Sequence, residues 1–305
     1  MFLVAAGRSV AVFAGERDGV FKSYELKSDG YPRTYGVYAP AGLKLSKKYP
    51  LLVVLHGGGG SGRQMRRMTR NGFESLADRN GAIVAYPDAL DKHWDDYRGI
   101  RRAHANDVAF IAAMLDRLTR TYPVDASRIY ATGVSNGAMM SYALACLAAD
   151  KFAAVAPVAG SMPRNLLPSC RPSRSVPILI INGTEDRLVH WEGGAVTGPF
   201  GVRKFGETIA VAASRDFWLK NNACDASKKE SSTKNSDPRD GTVLVKEIYA
   251  SCAGGGTVEF LKIEGGGHTW PGGMQSYRKQ LVGATSTELS ANDEIWDFFM
   301  AHRNH

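Results

Sequence analysis

One serine in this chain stands between glycines placed two residues to either side, Gly133-Val134-Ser135-Asn136-Gly137. The apolar run from Arg128 to Thr132 leads into it, and a helical pattern from about Gly137 to Ala149 leads away. A serine at so sharp a strand-to-helix turn is held in a strained backbone conformation with its Oγ exposed, and the glycines leave room for crossing chain segments. The N–H groups that open the following helix favour negative charge at the same point. G-x-S-x-G alone occurs by chance in many proteins; its place between a strand and a helix is what marks Ser135 as a nucleophile.

A hydroxyl is a weak nucleophile near neutral pH, so a base must take its proton and a third group must orient that base. Four histidines lie downstream. His302 and His305 sit at the C-terminus where the last helix ends, and His190 comes only a few residues past a strand, too close to the candidate acids to follow them. His268 lies in Glu264-Gly-Gly-Gly-His-Thr-Trp-Pro271, a glycine loop between an apolar strand and the last helix, from which an imidazole can reach over a sheet edge. For the acid, the buried run from Val176 to Ile181 is followed by a turn carrying Glu185 and Asp186. Asp186 is the expected acid and Glu185 the alternative, since either carboxylate can orient an imidazole. Asp150, Asp216 and Asp225 fall in or beside helical segments and read as caps or surface charges. The expected triad is Ser135, Asp186 and His268, in the order nucleophile, acid, base.

Such chemistry needs donors for the developing oxyanion. Pro50 to His56 is an apolar strand that opens into Gly57-Gly58-Gly59-Gly60, where backbone free of side chains can approach a carbonyl. Gly58 is the expected donor there, paired with the N–H of Asn136. Gly57, Gly59 and Gly62 match a dinucleotide fingerprint literally, but the serine turn downstream accounts for the loop without a nucleotide, and no lysine follows to make it a phosphate loop. His93-Trp94-Asp95-Asp96 offers an incomplete ligand set, so no metal is expected, and the chemistry needs no cofactor. Trp94, Trp191 and Trp270 fall on loops expected at the sheet's carboxyl edge, where they either wall a cleft or pack beneath the loops. With His56 they are the candidate substrate contacts.

These residues need a frame. Strands are expected near Arg33 to Ala39, Leu51 to His56, Ala82 to Tyr86, Arg128 to Thr132, Phe152 to Pro157, Val176 to Ile181, Thr242 to Tyr249 and Thr257 to Ile263. Helical spacing recurs at Val108, Ile111, Met114, Leu115 and Leu118 behind the caps Asn106 and Asp107, and again over Ala210 to Asn221 and Asn292 to His302. Alternating strands and helices with nearly continuous apolar strands predict a mostly parallel sheet covered on both faces. Residues 1–30 read as an N-terminal extension with a first strand region and residues 31–305 as one catalytic domain. Ala226 to Gly241 reads as a solvated loop.

Hydrophobic residues make up 44% of the 305 and charged residues 22%, an ordinary globular balance with no apolar run near the roughly 18 residues of a membrane span. The net charge of +8 is spread along the chain without a nucleic-acid motif, which argues against nucleic acid and suits anionic polymers. No obligate protein partner is implied. Cys146, Cys170, Cys224 and Cys252 are too scattered for a redox or zinc motif and allow two disulfides in three pairings, or four buried thiols. Met1-Phe-Leu-Val-Ala-Ala-Gly7 is apolar but lacks the basic start and full apolar stretch of a signal peptide.

Taken together, His56-Gly-Gly-Gly-Gly60, Tyr86-Pro-Asp88, Asn106-Asp-Val-Ala-Phe110, Gly133-Val-Ser-Asn-Gly-Ala-Met-Met140, Phe152 to Gly160, Asn182-Gly-Thr-Glu-Asp186 and Gly266 to Gly272 resemble the polyhydroxybutyrate depolymerase and feruloyl esterase family. The likeness runs from about Tyr31 to His302. It implies an α/β-hydrolase fold and a serine carboxylic ester hydrolase that works through an acyl-enzyme. The expected substrate is a feruloyl or acetyl ester of a plant polysaccharide; the alternative is a polyhydroxyalkanoate polyester or its oligomers, and a more distant one a peptide amide. The resemblance also implies a secreted or periplasmic enzyme with disulfides Cys224–Cys252 and Cys146–Cys170. Ala138, where the family often has glycine, and Asn182, where it often has histidine, depart from the pattern without touching the reacting groups.

Overall fold

The computed structural model describes residues 19–99, 105–198, 204–275 and 277–304, so most of the expected N-terminal extension lies outside the described residues. Mostly apolar strands form the middle of the molecule. They are β3 (Tyr49–Leu55), β4 (Ile83–Pro87), β5 (Val124–Val134), β6 (Ala154–Val158), β7 (Ile178–Gly183) and β12 (Val258–Glu264). β3, β4 and β6 are buried at every position, as strands sandwiched between helical layers must be.

The sheet has ten strands in the order β1-β2-β4-β3-β5-β6-β7-β12-β11-β10, with β1 (Val20–Ser28), β2 (Tyr31–Ala39), β10 (Glu230–Lys234) and β11 (Val243–Tyr249) added at its sides. The six central strands run parallel, while β1, β2, β10 and β11 pair antiparallel. All six parallel strands therefore end at one edge, the place where open α/β sheets present ligand sites.

Because strand side chains alternate between faces, Leu51, Val53 and Leu55 serve one core and Leu52 and Val54 the other. On the first face α3 (Asp107–Thr121) packs Phe110, Ile111, Met114, Leu115 and Leu118 against the sheet, beside α5 (Val211–Asn221). The expected cap is present: the Asn106 side chain accepts the Ala109 N–H at 3.0 Å. The second face carries α2 (Gly72–Asn80), which follows α1 (Gly62–Met68), and α7 (Ala291–Met300). α4 (Asn136–Leu147) is apolar all round and buried along nearly its whole length. α6 (Lys279–Val282) is a single turn.

The stretch from Ala226 to Gly241 is not a plain loop, for it contains the edge strand β10. Its residues Glu-Ser-Ser-Thr-Lys are exposed throughout, so no apolar alternation announced it; main-chain bonds to β11 form it. Charged and polar side chains on such an edge discourage pairing with other chains. Both disulfides are present, Cys146–Cys170 and Cys224–Cys252, with separations of 24 and 28 residues. Each closes a loop worth roughly 3–4 kcal/mol of chain entropy.

Candidate active site

Ser135 joins β5 to α4 with φ 58° and ψ −117°, a backbone conformation that side chains other than glycine rarely adopt. The neighbourhood fixes it there. Its N–H donates to Val158 O at 3.0 Å, its carbonyl accepts the Met139 N–H at 3.0 Å, and the end of β3 crosses directly beneath. A Cβ on Gly137 would stand 2.4 Å from Leu55 O, and one on Gly133 2.7 Å from the same atom, so only glycine permits the crossing. The Ser135 side chain does not cap α4, and the first N–H groups of any helix, here including that of Asn136, have no intrahelical acceptor.

Two loops over the carboxyl edge bring His268 to Asp186. The Asp186 side chain is fully buried. Its Oδ1 accepts the N–H groups of Leu188 and Val189, each at 2.8 Å, and its Oδ2 accepts His268 Nδ1–H at 2.7 Å. With its proton engaged at Nδ1, the neutral ring keeps Nε2 free to accept another. The end of β7 and the loop after β12 pass in near contact, for a Cβ on Gly183 would lie 2.2 Å from Gly266 O, and α6 closes on the same loop, with a Cβ on Gly267 2.1 Å from Val282 O. Glu185, the alternative acid, is exposed and contributes only a main-chain bond to Gly266 O.

The glycine loop after β3 lies beside the serine. A Cβ on Gly57 would be 3.5 Å from Ser135 Cβ, and one on Gly58 3.6 Å from Asn136 Cβ and 3.1 Å from the His93 ring. Asn136 is buried, and its amide is gripped at both ends. Oδ1 accepts the Trp94 N–H at 2.8 Å, while Nδ2 donates to Trp94 O at 3.1 Å and Asp96 Oδ2 at 2.6 Å. Asp96 is also ion-paired to Arg98 at 2.7 Å, again out of solvent. Burial pushes the Asp96 carboxyl above its usual range, against the opposing pull of the Arg98 cation and the Asn136 amide.

The proposed substrate contacts fare unevenly. His56 is buried, donating from Nδ1 to Gly57 O at 2.7 Å and accepting the Ala89 N–H at Nε2 at 3.0 Å; burial holds its pKa below the ordinary histidine value. Trp94 is buried with its Nε1–H on His56 O at 2.9 Å. Trp270 is fully buried against Phe73, its Nε1–H on Asn292 Oδ1 at 3.1 Å. All three lie buried beneath the loops, with their ring N–H groups or nitrogens engaged by protein partners. Trp191 is half-buried against Phe260 and keeps an open side. The sequence reading missed the ribbon of β8 (Gly194–Thr197) and β9 (Lys204–Thr208), whose Val196 and Phe205 pack with Met139 and Val189. Phe205 lies nearly parallel to His93 at 6.4 Å. Among the described residues no cluster of His, Cys, Asp or Glu could hold a metal, and no helix is long and apolar enough to cross a membrane.

The sheet order and the placing of these residues at its carboxyl edge define an α/β hydrolase. The family described as Esterase PHB depolymerase matches residues 33–187, just over half of the chain. A protein of Nocardia uniformis subsp. tsuyamanensis named "Putative esterase NocK" is 34% identical over 292 residues, covering 93% of this chain and 83% of that one. Feruloyl esterase B of Piromyces equi is 32% identical over 75% of this chain but only 41% of its own length. Feruloyl esterase C of Emericella nidulans is 28% identical over 88% and 84%. Among solved structures, an acetyl xylan esterase from Aspergillus awamori superposes with a TM-score of 0.61 at 16% identity, covering 92% of this chain and 99% of that one, a likeness of fold. The chain belongs to the Esterase PHB depolymerase family and is a carboxylic ester hydrolase.

Proposed function

We propose that Ser135, Asp186 and His268 form the catalytic triad of one α/β-hydrolase domain that cleaves feruloyl or acetyl esters of carbohydrate. The observation that carries the triad is the buried 2.7 Å bond between Asp186 and His268 at the edge where Ser135 holds its left-handed turn. His268 Nε2 takes the Ser135 proton as Oγ attacks the ester carbonyl, and the N–H groups of Asn136 and Gly58 receive the oxyanion. The intermediate collapses, His268 returns the proton to the departing alcohol, and an acyl-enzyme remains. Water then repeats the sequence and releases the acid. Asp186 keeps the ring in the Nδ1–H tautomer and stabilises the imidazolium.

Support for the carbohydrate substrate comes from the relatives named feruloyl esterase, and from a bifunctional acetylxylan esterase/xylanase of Neocallimastix patriciarum that is 30% identical over 54% of this chain. Polyester oligomers are the second reading, favoured by the family description itself. Exposed Arg63, Arg67 and Arg70, on and just after α1, follow the glycine loop and suit an anionic polysaccharide. Two disulfides fit an enzyme working outside the cytoplasm. The test is a panel of methyl ferulate, acetylated xylan, hydroxybutyrate oligomers and 4-nitrophenyl acetate, run with the parent and Ser135→Ala. Turnover of methyl ferulate, acetylated xylan and 4-nitrophenyl acetate but not of hydroxybutyrate oligomers, abolished by Ser135→Ala, is expected. An active Ser135→Ala overturns the triad, and preference for hydroxybutyrate overturns the substrate.

A further inference from the structure

The two expected oxyanion donors come from segments far apart in the chain, Gly58 after β3 and Asn136 at the start of α4. Their separation must hold to a fraction of an ångström for both to meet one oxygen. We propose that the buried Asp96–Arg98 ion pair is the positioning device that fixes this spacing, an inference resting on the assignment of Gly58 and Asn136 above.

Both members are largely out of solvent, at 2% and 7% exposure. A buried ion pair is weak evidence for stability, since desolvating two charges offsets most of their attraction. Its contacts suggest a different use. On one side, Asp96 Oδ2 accepts Asn136 Nδ2–H at 2.6 Å, while the Trp94 main chain holds the same amide at its oxygen and nitrogen. An amide tied at both ends cannot turn, so the residue's own N–H keeps its direction at the head of α4. On the other side, Arg98 Nη1–H donates to Phe205 O at 2.9 Å. The Phe205 ring lies parallel to His93, and His93 in turn lies against Gly58.

The pair thus reaches Asn136 directly and Gly58 through two aromatic rings. The backbone of the β8–β9 ribbon closes onto the same segment, for a Cβ on Gly206 would stand 2.5 Å from Arg98 O. Arg98 also donates its Nε–H and N–H to Asp96, at 2.8 and 3.1 Å, so the two side chains move as one unit. An apolar filler would occupy the volume yet hold neither donor. Asp96 and Arg98 touch no reacting atom; they act through Asn136 and His93.

Two variants test this in the intact chain, with kcat, KM and thermal midpoint measured on 4-nitrophenyl acetate and fluorophosphonate labelling followed at Ser135. Asp96→Asn combined with Arg98→Met removes both charges at once and so leaves no unpaired ion. Asn136→Ala keeps the main-chain N–H and deletes only the grip on it. Each is expected to lower kcat by about 10- to 100-fold, part of the roughly hundred- to thousandfold worth of a whole donor, with KM within about threefold of the parent. The double variant is expected to melt no lower than the parent. A merely structural pair would shift the melting midpoint and leave kcat alone. If the double variant does not fold, Asn136→Ala decides, because it leaves the ion pair in place; parental kcat there overturns the proposal. A dead Ser135→Ala beside fully active Asn136→Ala refutes the positioning role alone, whereas an active Ser135→Ala refutes the reading of the site itself.

Discussion

Two buried carboxylates flank Ser135 in the sheet order, and they are held in contrasting ways. Among the described residues Asp186, beyond β7, has no lysine or arginine partner: two main-chain N–H groups and one imidazole N–H take up its oxygens. Asp96, beyond β4, pairs with a guanidinium and a side-chain amide. A carboxylate fixed by backbone amides has a rigid surrounding and one partner whose charge changes, which suits a group that must respond to a proton on His268. A carboxylate fixed by a permanent cation and a side-chain amide suits a brace. On the proposed assignment the same residue type, buried on both sides of Ser135, serves chemistry on one side and geometry on the other.

The contrast is sharpest in Asp186→Asn. The asparagine oxygen can still accept from Leu188 and Val189, but its amide would face His268 Nδ1 and force the other tautomer. A fall in kcat of about ten-thousandfold with an almost unchanged melting midpoint is expected. A loss below about tenfold would assign the acid elsewhere, with Glu185 the first place to look.

Asp96→Ala should behave in the reverse sense. It strands the Arg98 cation in the interior and is expected to destabilise the fold by about 3–5 kcal/mol in urea unfolding, as removal of one partner of a buried pair does. Retention of full stability would mean that Arg98 finds another partner or water.

A pH series separates the two further. Because burial raises the folded-state pKa of Asp96 above its ordinary value of 3.8, its contribution to stability is fully present below the unfolded value and is lost as pH rises through the folded one. The stability of the parent relative to Asp96→Asn with Arg98→Met should therefore improve as pH falls from 7 towards 4. A gap that is flat over that range would show that Asp96 titrates as it does in the unfolded chain. The smallest expected effect lies outside both regions. Changing Arg63, Arg67 and Arg70 together to glutamine should raise KM several-fold for a uronate-bearing acetylated xylan at low salt and leave 4-nitrophenyl acetate unaffected, an effect that salt erases in the parent.

The Asp186 side was legible in the sequence because each residue lies in a loop just past a strand: the run Val176 to Ile181 points to Asp186, and the apolar run before Glu264 points to His268. The glycines around Ser135 were legible for the same reason, since a tight crossing permits nothing larger. The Asp96 side was not. Asn136 was read for its main-chain N–H, and nothing local ties its side chain to an aspartate 40 positions earlier. Trp94 and Trp270 sit in loops by sequence and in the core by packing, because a glycine-rich loop must borrow its support from an indole that reaches inward. β1 was expected only as a strand region within residues 1–30 and without bounds, although Asp29-Gly30, both at positive φ, is the turn that joins it to β2. The β8–β9 ribbon is too short and too polar to declare itself.

The backbone of Ser135 has a consequence for the molecule's history as well as its reaction. At φ 58° a side chain of any kind is strained by about 1 kcal/mol, and glycine is not. Ser135→Gly would relax that strain, so selection of this chain for heat resistance alone, with no demand for turnover, would drift toward deleting the serine proposed as its nucleophile. Conversely, a left-handed serine retained in a relative of unknown activity is a sign that selection there still acts on catalysis.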